Sequence, residues 1–167
     1  VDPYPNAPPA TPPKAFFAFL WEASAGVRPW LLATTLLTAA IGAFEAYLFS
    51  MMGSIVDWLS TVPPAELWTA ERERLLFLGA VLAGSVLLVV LQSTIKQQVI
   101  FGNFPMLLRW KFHRLMLGQS MTFYQDEFAG RIATKVMQTA LAVRDVWLIV
   151  SELLVFVVIY FVTLLAV

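Results

Sequence analysis

The sequence contains no cysteine and a single histidine, His113. The first absence excludes a disulfide framework and any thiolate metal site, and one histidine on a basic stretch offers no metal-ligand spacing. Charge is scarce as well, at 13% of 167 residues, and the eleven acidic and eleven basic side chains cancel. Nothing in that balance points to nucleic acid, which would call for a basic excess, or to an acidic tail for a soluble partner. There is no G-x-x-x-x-G-K-[ST] loop to cradle nucleotide phosphates, no HExxH pair and no Ser/His/Asp set. The sequence therefore predicts no catalytic residue, no metal site and no cofactor within this chain, and the chain does not hydrolyse ATP alone.

What is present is apolar. Hydrophobic residues make up 59% of the chain, too many for a water-soluble domain with so little charged surface. A spanning helix needs ~20 mostly apolar residues, because the hydrocarbon core is ~30 Å thick and a helix rises ~1.5 Å per residue. Three segments qualify: about Leu31 to Leu59, the run LLFLGAVLAGSVLLVVL from Leu75, and Val146 to Val167. Each must be helical, since lipid cannot satisfy free backbone groups. The predicted fold class is all-α, an integral membrane helical bundle with three long transmembrane helices extending into the cytoplasm. Pro63 and Pro64, with the charged run Glu71 to Arg74, place an exposed loop over 60–73 between the first two spans.

The chain opens VDPYPNAPPATPPK, with six prolines in thirteen residues and no basic region followed by an apolar one. It is not a secretory signal and reads as a disordered, solvated tail over 1–14. The aromatic stretch AFFAFLWEASAG that follows is too short to cross and suits the membrane interface, with Trp21 and Trp30 at headgroup depth and Pro29 redirecting the chain.

Basic residues give the direction. The stretch between the second and third spans carries Lys96, Arg109, Lys111, Arg114, Arg131, Lys135 and Arg144, whereas the loop after the first span has only Arg72 and Arg74 among acidic neighbours. By the positive-inside rule the former stretch and the N-terminus are cytoplasmic, and the expected location is the cell (inner) membrane, crossed several times. The second segment also outruns the bilayer. From Leu75 to about Ser120 only Pro105 interrupts it, and a helix of that length measures ~69 Å. Its lower part keeps an apolar stripe at Phe104, Leu108, Phe112, Leu115 and Met116, and Pro105 is expected to kink it. The third segment begins with a polar lead-in from Gly130 to Asp145, so two long helices descend and return together, joined near Met121 to Phe128.

At this point the residues resemble the membrane domain of six-helix ABC exporters, N-terminal half only. VRPW at Val27 to Trp30, followed by an apolar helix ending GSIVDWL, resembles the elbow helix and first transmembrane helix. LRWKFHRLMLGQSMTFYQDEFAGRIATKVMQTALAVRD, from Leu107 to Asp145, resembles the first intracellular loop. The resemblance implies an elbow helix at 15–28, spans at about 30–59, 74–120 and 130–167, and a coupling loop at 121–129. It implies that a short coupling helix lies across a groove of a nucleotide-binding domain outside this chain, where ATP and Mg²⁺ bind. Phe123, Tyr124 and Phe128 would anchor that groove, with Gln125, Asp126 and Glu127 around them and Gly130 allowing a tight return. On its own the segment also reads as a plain turn with its aromatics tucked into the bundle. Further implied partners are the remaining transmembrane helices and a second exporter half, making a homo- or heterodimer. The chain, ending in an apolar run, is then expected to be a fragment whose parent is a transporter ATPase. Two other classes remain open: a three-helix membrane scaffold or assembly subunit with a protein-binding cytoplasmic hairpin, and a small oligomeric channel.

Intramembrane polar residues need partners or a watery path. An ionisable group at bilayer depth costs ~2.5 to 3.5 kcal/mol, so Glu45 should face protein or a cavity. It either lines a substrate path or pairs with another helix at Gln92 or Lys96, and the sequence leaves both open. Lys96 and Glu152 lie near the inner interface, where Lys96 can snorkel. Asp57 suits a solvated helix end, and Gly79 and Gly84 suit close helix packing.

Overall fold

A computed structural model describes residues 1–6, 11–61, 63, 72–126 and 128–166; of Ser50, Asp126, Ala129 and Ala166 it describes the backbone alone. Every element among the described residues is helical: α1 (Phe16–Ala23), α2 (Arg28–Thr61), α3 (Arg72–Ile95), a π-helical segment (Lys96–Asn103), α4 (Phe104–Leu117), α5 (Met121–Asp126), α6 (Ala129–Leu148), a second π-helical segment (Ile149–Leu154) and α7 (Val155–Ala166). Three helical runs are long and apolar enough to cross a membrane: Arg28–Thr61, Arg72–Leu117 and Gly130–Leu165. Pro64, Glu66 and Glu71 of the loop between the first two lie outside the described residues.

The chain divides into two compact units. The first comprises Val1–Ala33 and Ile95–Ser151. Its core gathers Leu20, Ala23, Val27 and Leu31, then Val99, Ile100, Phe104, Leu107 and Leu108, then Ala140 and Val143. Leu20 and Ala23 share a face of α1, with Val27 and Leu31 beyond the corner that follows it; in the other two sets spacings of three and four mark one helical face, except that Val99 and Phe104 are five apart. The five-residue step is the π turn itself: the Phe104 N–H donates to the Val99 carbonyl. Sequence alone placed a kink at Pro105. The π-helical irregularity ends beside it, where proline has no N–H to give and an altered register costs least. The predicted stripe faces inward, with Phe104 and Leu108 fully covered and Phe112, Leu115 and Met116 half-buried.

The junction between α1 and α2 turns at Gly26, whose φ of 95° is open to glycine and strained for other residues. Pro29, expected to redirect the chain, sits inside the first turn of α2, where its fixed φ fits a helix start. The Trp21 carbonyl accepts from Ser24 Oγ at 2.8 Å and from Arg28 Nη2 at 2.6 Å. The same guanidinium lies 4.0 Å from the centre of the Trp21 ring, so one cation pins the corner twice.

The second unit comprises Thr34–Thr94 and Glu152–Val167. The close approach expected at Gly79 and Gly84 does not occur among the described residues, where both face open space. It occurs at Gly42, where an added Cβ would stand 3.4 Å from Phe156 Cδ2 and 3.6 Å from the Phe156 carbonyl, so α2 and α7 meet almost backbone to backbone. At the far end of α2, Arg74 lies 4.6 Å from the centre of the Trp58 ring, and Asp57 beside it is exposed. The apolar stretch of the run containing α3 buries none of its residues within the chain, so its uniformly apolar surface is stable only in lipid or against further helices.

Candidate functional site

The tip between α4 and α6 is built by a compact turn. Gly118 and Gln119 close α4 with N–H bonds to the carbonyls of Leu115 and Met116, at 3.2 and 2.9 Å. The Phe123 N–H then bonds Ser120 Oγ at 3.4 Å as α5 begins. Tyr124 folds back, its hydroxyl donating to the Met116 carbonyl at 2.5 Å. The Phe123 and Tyr124 rings meet edge to face with centroids 5.3 Å apart. Phe128 is extended at φ −71°, ψ 125°, and its carbonyl receives the N–H groups of Arg131 at 2.8 Å and Ile132 at 3.3 Å, which starts α6.

These bonds sort the predicted anchors. Phe123 is half-buried and Tyr124 is tied back to the end of α4, whereas Phe128 is 75% exposed. Two apolar residues not singled out in the sequence share the tip: Leu117 at 71% and Met121 at 73% exposure. The signal for them was an apolar residue on each side of the Gly118 to Ser120 break. Gln125 is exposed, and the side chain of Asp126 and all of Glu127 lie outside the described residues. At Gly130 the tight contact is with a ring, not with backbone: an added Cβ would stand 3.0 Å from Phe128 Cε1.

A second polar site lies within the apolar runs. The Gln92 side-chain amide donates one hydrogen bond to Thr38 Oγ1 at 3.2 Å and another to Glu152 Oε1 at 3.3 Å. Its two N–H donors thus tie together one residue from each of the three runs. Thr38 is buried, and Gln92 and Glu152 are half-buried. The sequence offered Gln92 as a partner for Glu45; the structure gives its donors to Glu152 and Thr38 instead. Glu45 is half-buried on α2, with no hydrogen bond or ion pair among the described residues. Lys96 begins the first π-helical segment and belongs to the other compact unit from Gln92, Glu45 and Glu152.

Comparison with known protein families gives no match. No solved structure matches either. An uncharacterized ABC transporter ATP-binding protein of Haemophilus influenzae is 48% identical to this chain over 163 residues, which are 98% of the chain and 26% of that protein. The chain therefore spans about a quarter of the relative it matches, and is similar to an ABC transporter protein over almost all of its own length.

Proposed function

We propose that this chain is the N-terminal part of the membrane domain of an ABC exporter. It contributes three spanning helices to the translocation pathway and a cytoplasmic coupling tip to an ATPase domain outside it. The observation that carries this reading is the near full-length similarity to a much longer ABC transporter ATP-binding protein, by a chain with three membrane-length apolar helices. In this reading the basic hairpin from Lys96 to Arg144 is cytoplasmic, the N-terminus is inside, and the host is the inner membrane. The ~69 Å reach of the second run carries the tip well beyond the bilayer.

The tip contributes what docking into a groove requires. Phe128, Leu117 and Met121 are apolar and exposed, while Phe123 and Tyr124 brace the short helix that presents them. ATP and Mg²⁺ act on the ATPase domain, and this chain's share is mechanical: a rigid α5 set between two long helices passes domain closure on to the spans. The unburied faces of α3 and α7 would meet the remaining helices and a second exporter half, with lipid around them.

The test is made in the parent protein. A photo-activatable residue replacing Phe128 is expected to cross-link to a peptide from a domain that carries a phosphate loop. Capture of lipid or of an unrelated protein alone would refute the assignment.

A further inference from the structure

The proline-rich tail was expected to be free, yet Tyr4 and Pro5 rest on α4, a face that the transporter reading does not use. The Tyr4 ring meets Trp110 edge to face, with centroids 5.4 Å apart and planes at 90°. The Pro5 carbonyl accepts one hydrogen bond from Trp110 Nε1 and one from Arg114 Nη1, each at 3.2 Å. Trp110 and Arg114 are four residues apart, so they present one helical face. Upstream, the Tyr4 N–H bonds Asp2 Oδ1 at 2.9 Å, and Val1 packs against the core cluster. Downstream, Pro12 and Pro13 join Pro5 around a cavity of roughly 200 Å³ walled by Phe19, Leu108 and Phe112.

The chemistry is that of proline-peptide recognition. Proline has no N–H to donate and a fixed φ, so a proline-rich segment keeps its carbonyls available as acceptors and loses little freedom on docking. An indole N–H beside a guanidinium supplies two donors to one carbonyl, and the indole face takes the neighbouring ring. Pro5, Pro12 and Pro13 all line the same cavity.

We propose that the Trp110–Arg114 face is a receptor for a proline-containing peptide. It is filled in cis by Tyr4–Pro5, which straps the start of the chain releasably onto α4 beside the cavity. Losing Trp110 removes a ring contact and one hydrogen bond, which together shift the docked-to-free ratio on the order of thirtyfold. The proposal is independent of the transporter reading.

The absence of cysteine from this chain makes a distance measurement direct. In the parent protein, with any cysteines elsewhere replaced, spin labels are placed at Asn6→Cys and Gln119→Cys and their separation is read by double electron–electron resonance in nanodiscs. A single narrow distribution is expected. Trp110→Ala, or Tyr4→Ala where the first variant disturbs α4, should broaden it, while a control pair at Gln119→Cys and Lys135→Cys stays unchanged. Excess unlabelled protein should leave the Asn6 to Gln119 distance intact. A distribution already broad in the unsubstituted tail, or one insensitive to both variants, would overturn the strap. Loss of the distance on dilution would assign the tail to a second copy and overturn docking in cis.

Discussion

Replacing Gln92 by leucine removes its two side-chain hydrogen bonds to the other membrane-length runs, at 3.2 Å to Thr38 and 3.3 Å to Glu152. Interhelical hydrogen bonds in membranes contribute on average ~0.6 kcal/mol each, with a maximum near ~1.7. Two of them therefore set a direct loss of about 1 to 3 kcal/mol. The substitution also takes one donor from a half-buried carboxylate, but Glu152 keeps another interaction, which holds the total within that range. An expected loss of about 2 kcal/mol is large enough to measure by steric trapping or by reversible unfolding of the parent protein in mixed micelles. The decisive quantity is the coupling energy from a cycle of Gln92→Leu, Glu152→Leu and the double variant, because it cancels changes in lipid exposure common to both arms. Coupling of about 1 kcal/mol is expected. A value below ~0.3 kcal/mol, the scatter between independent sites, would show that the two side chains do not support each other.

Phe104→Ala should destabilise the first compact unit by about 3 to 5 kcal/mol, since Phe104 is fully buried, and should appear as proteolysis of the parent between α4 and α6. Gly42→Leu should force α2 from α7 at Phe156, measurable as a widened distance between labels at the far ends of those helices, whereas Gly42→Ala needs only a few tenths of an ångström from a ring. Joint replacement of Phe123, Tyr124 and Phe128 by alanine should leave ATP hydrolysis of the parent running without transport; transport at the original rate would reduce the tip to a turn. Gly130→Ala pushes only on the exposed Phe128 ring, so it should leave stability unchanged while weakening cross-linking from the tip.

The three long runs were legible because apolar length is a local property that a window of residues carries by itself. So was the inward stripe from Phe104 to Leu108, which follows from helical spacing. The partners of Gln92 were not, because its bond to Glu152 joins residues 60 apart in sequence and depends on the rotation of two helices about their axes. Composition marked the first fourteen residues as a solvated tail, and correctly assigned no helix to those described, but Pro5 finds its donor 105 residues away. The shift at Lys96–Asn103 left one trace, the five-residue step from Val99 to Phe104, which resembles noise until the hydrogen bond between them is seen. At the tip, the resemblance drew attention to the aromatics, and exposure added Leu117 and Met121.

Each π-helical segment amounts to a spare residue stored in a long helix, and this makes chain length locally negotiable. Removing Gln98 would let Lys96–Asn103 relax to an α-helix while Gln92 on one side and Phe104 on the other keep their faces. The same deletion at Leu82, in unbroken α-helix, would turn everything on one side of it by ~100° relative to the other. Tolerance of single-residue deletions should therefore peak at 96–103 and 149–154 and collapse between the flanking turns.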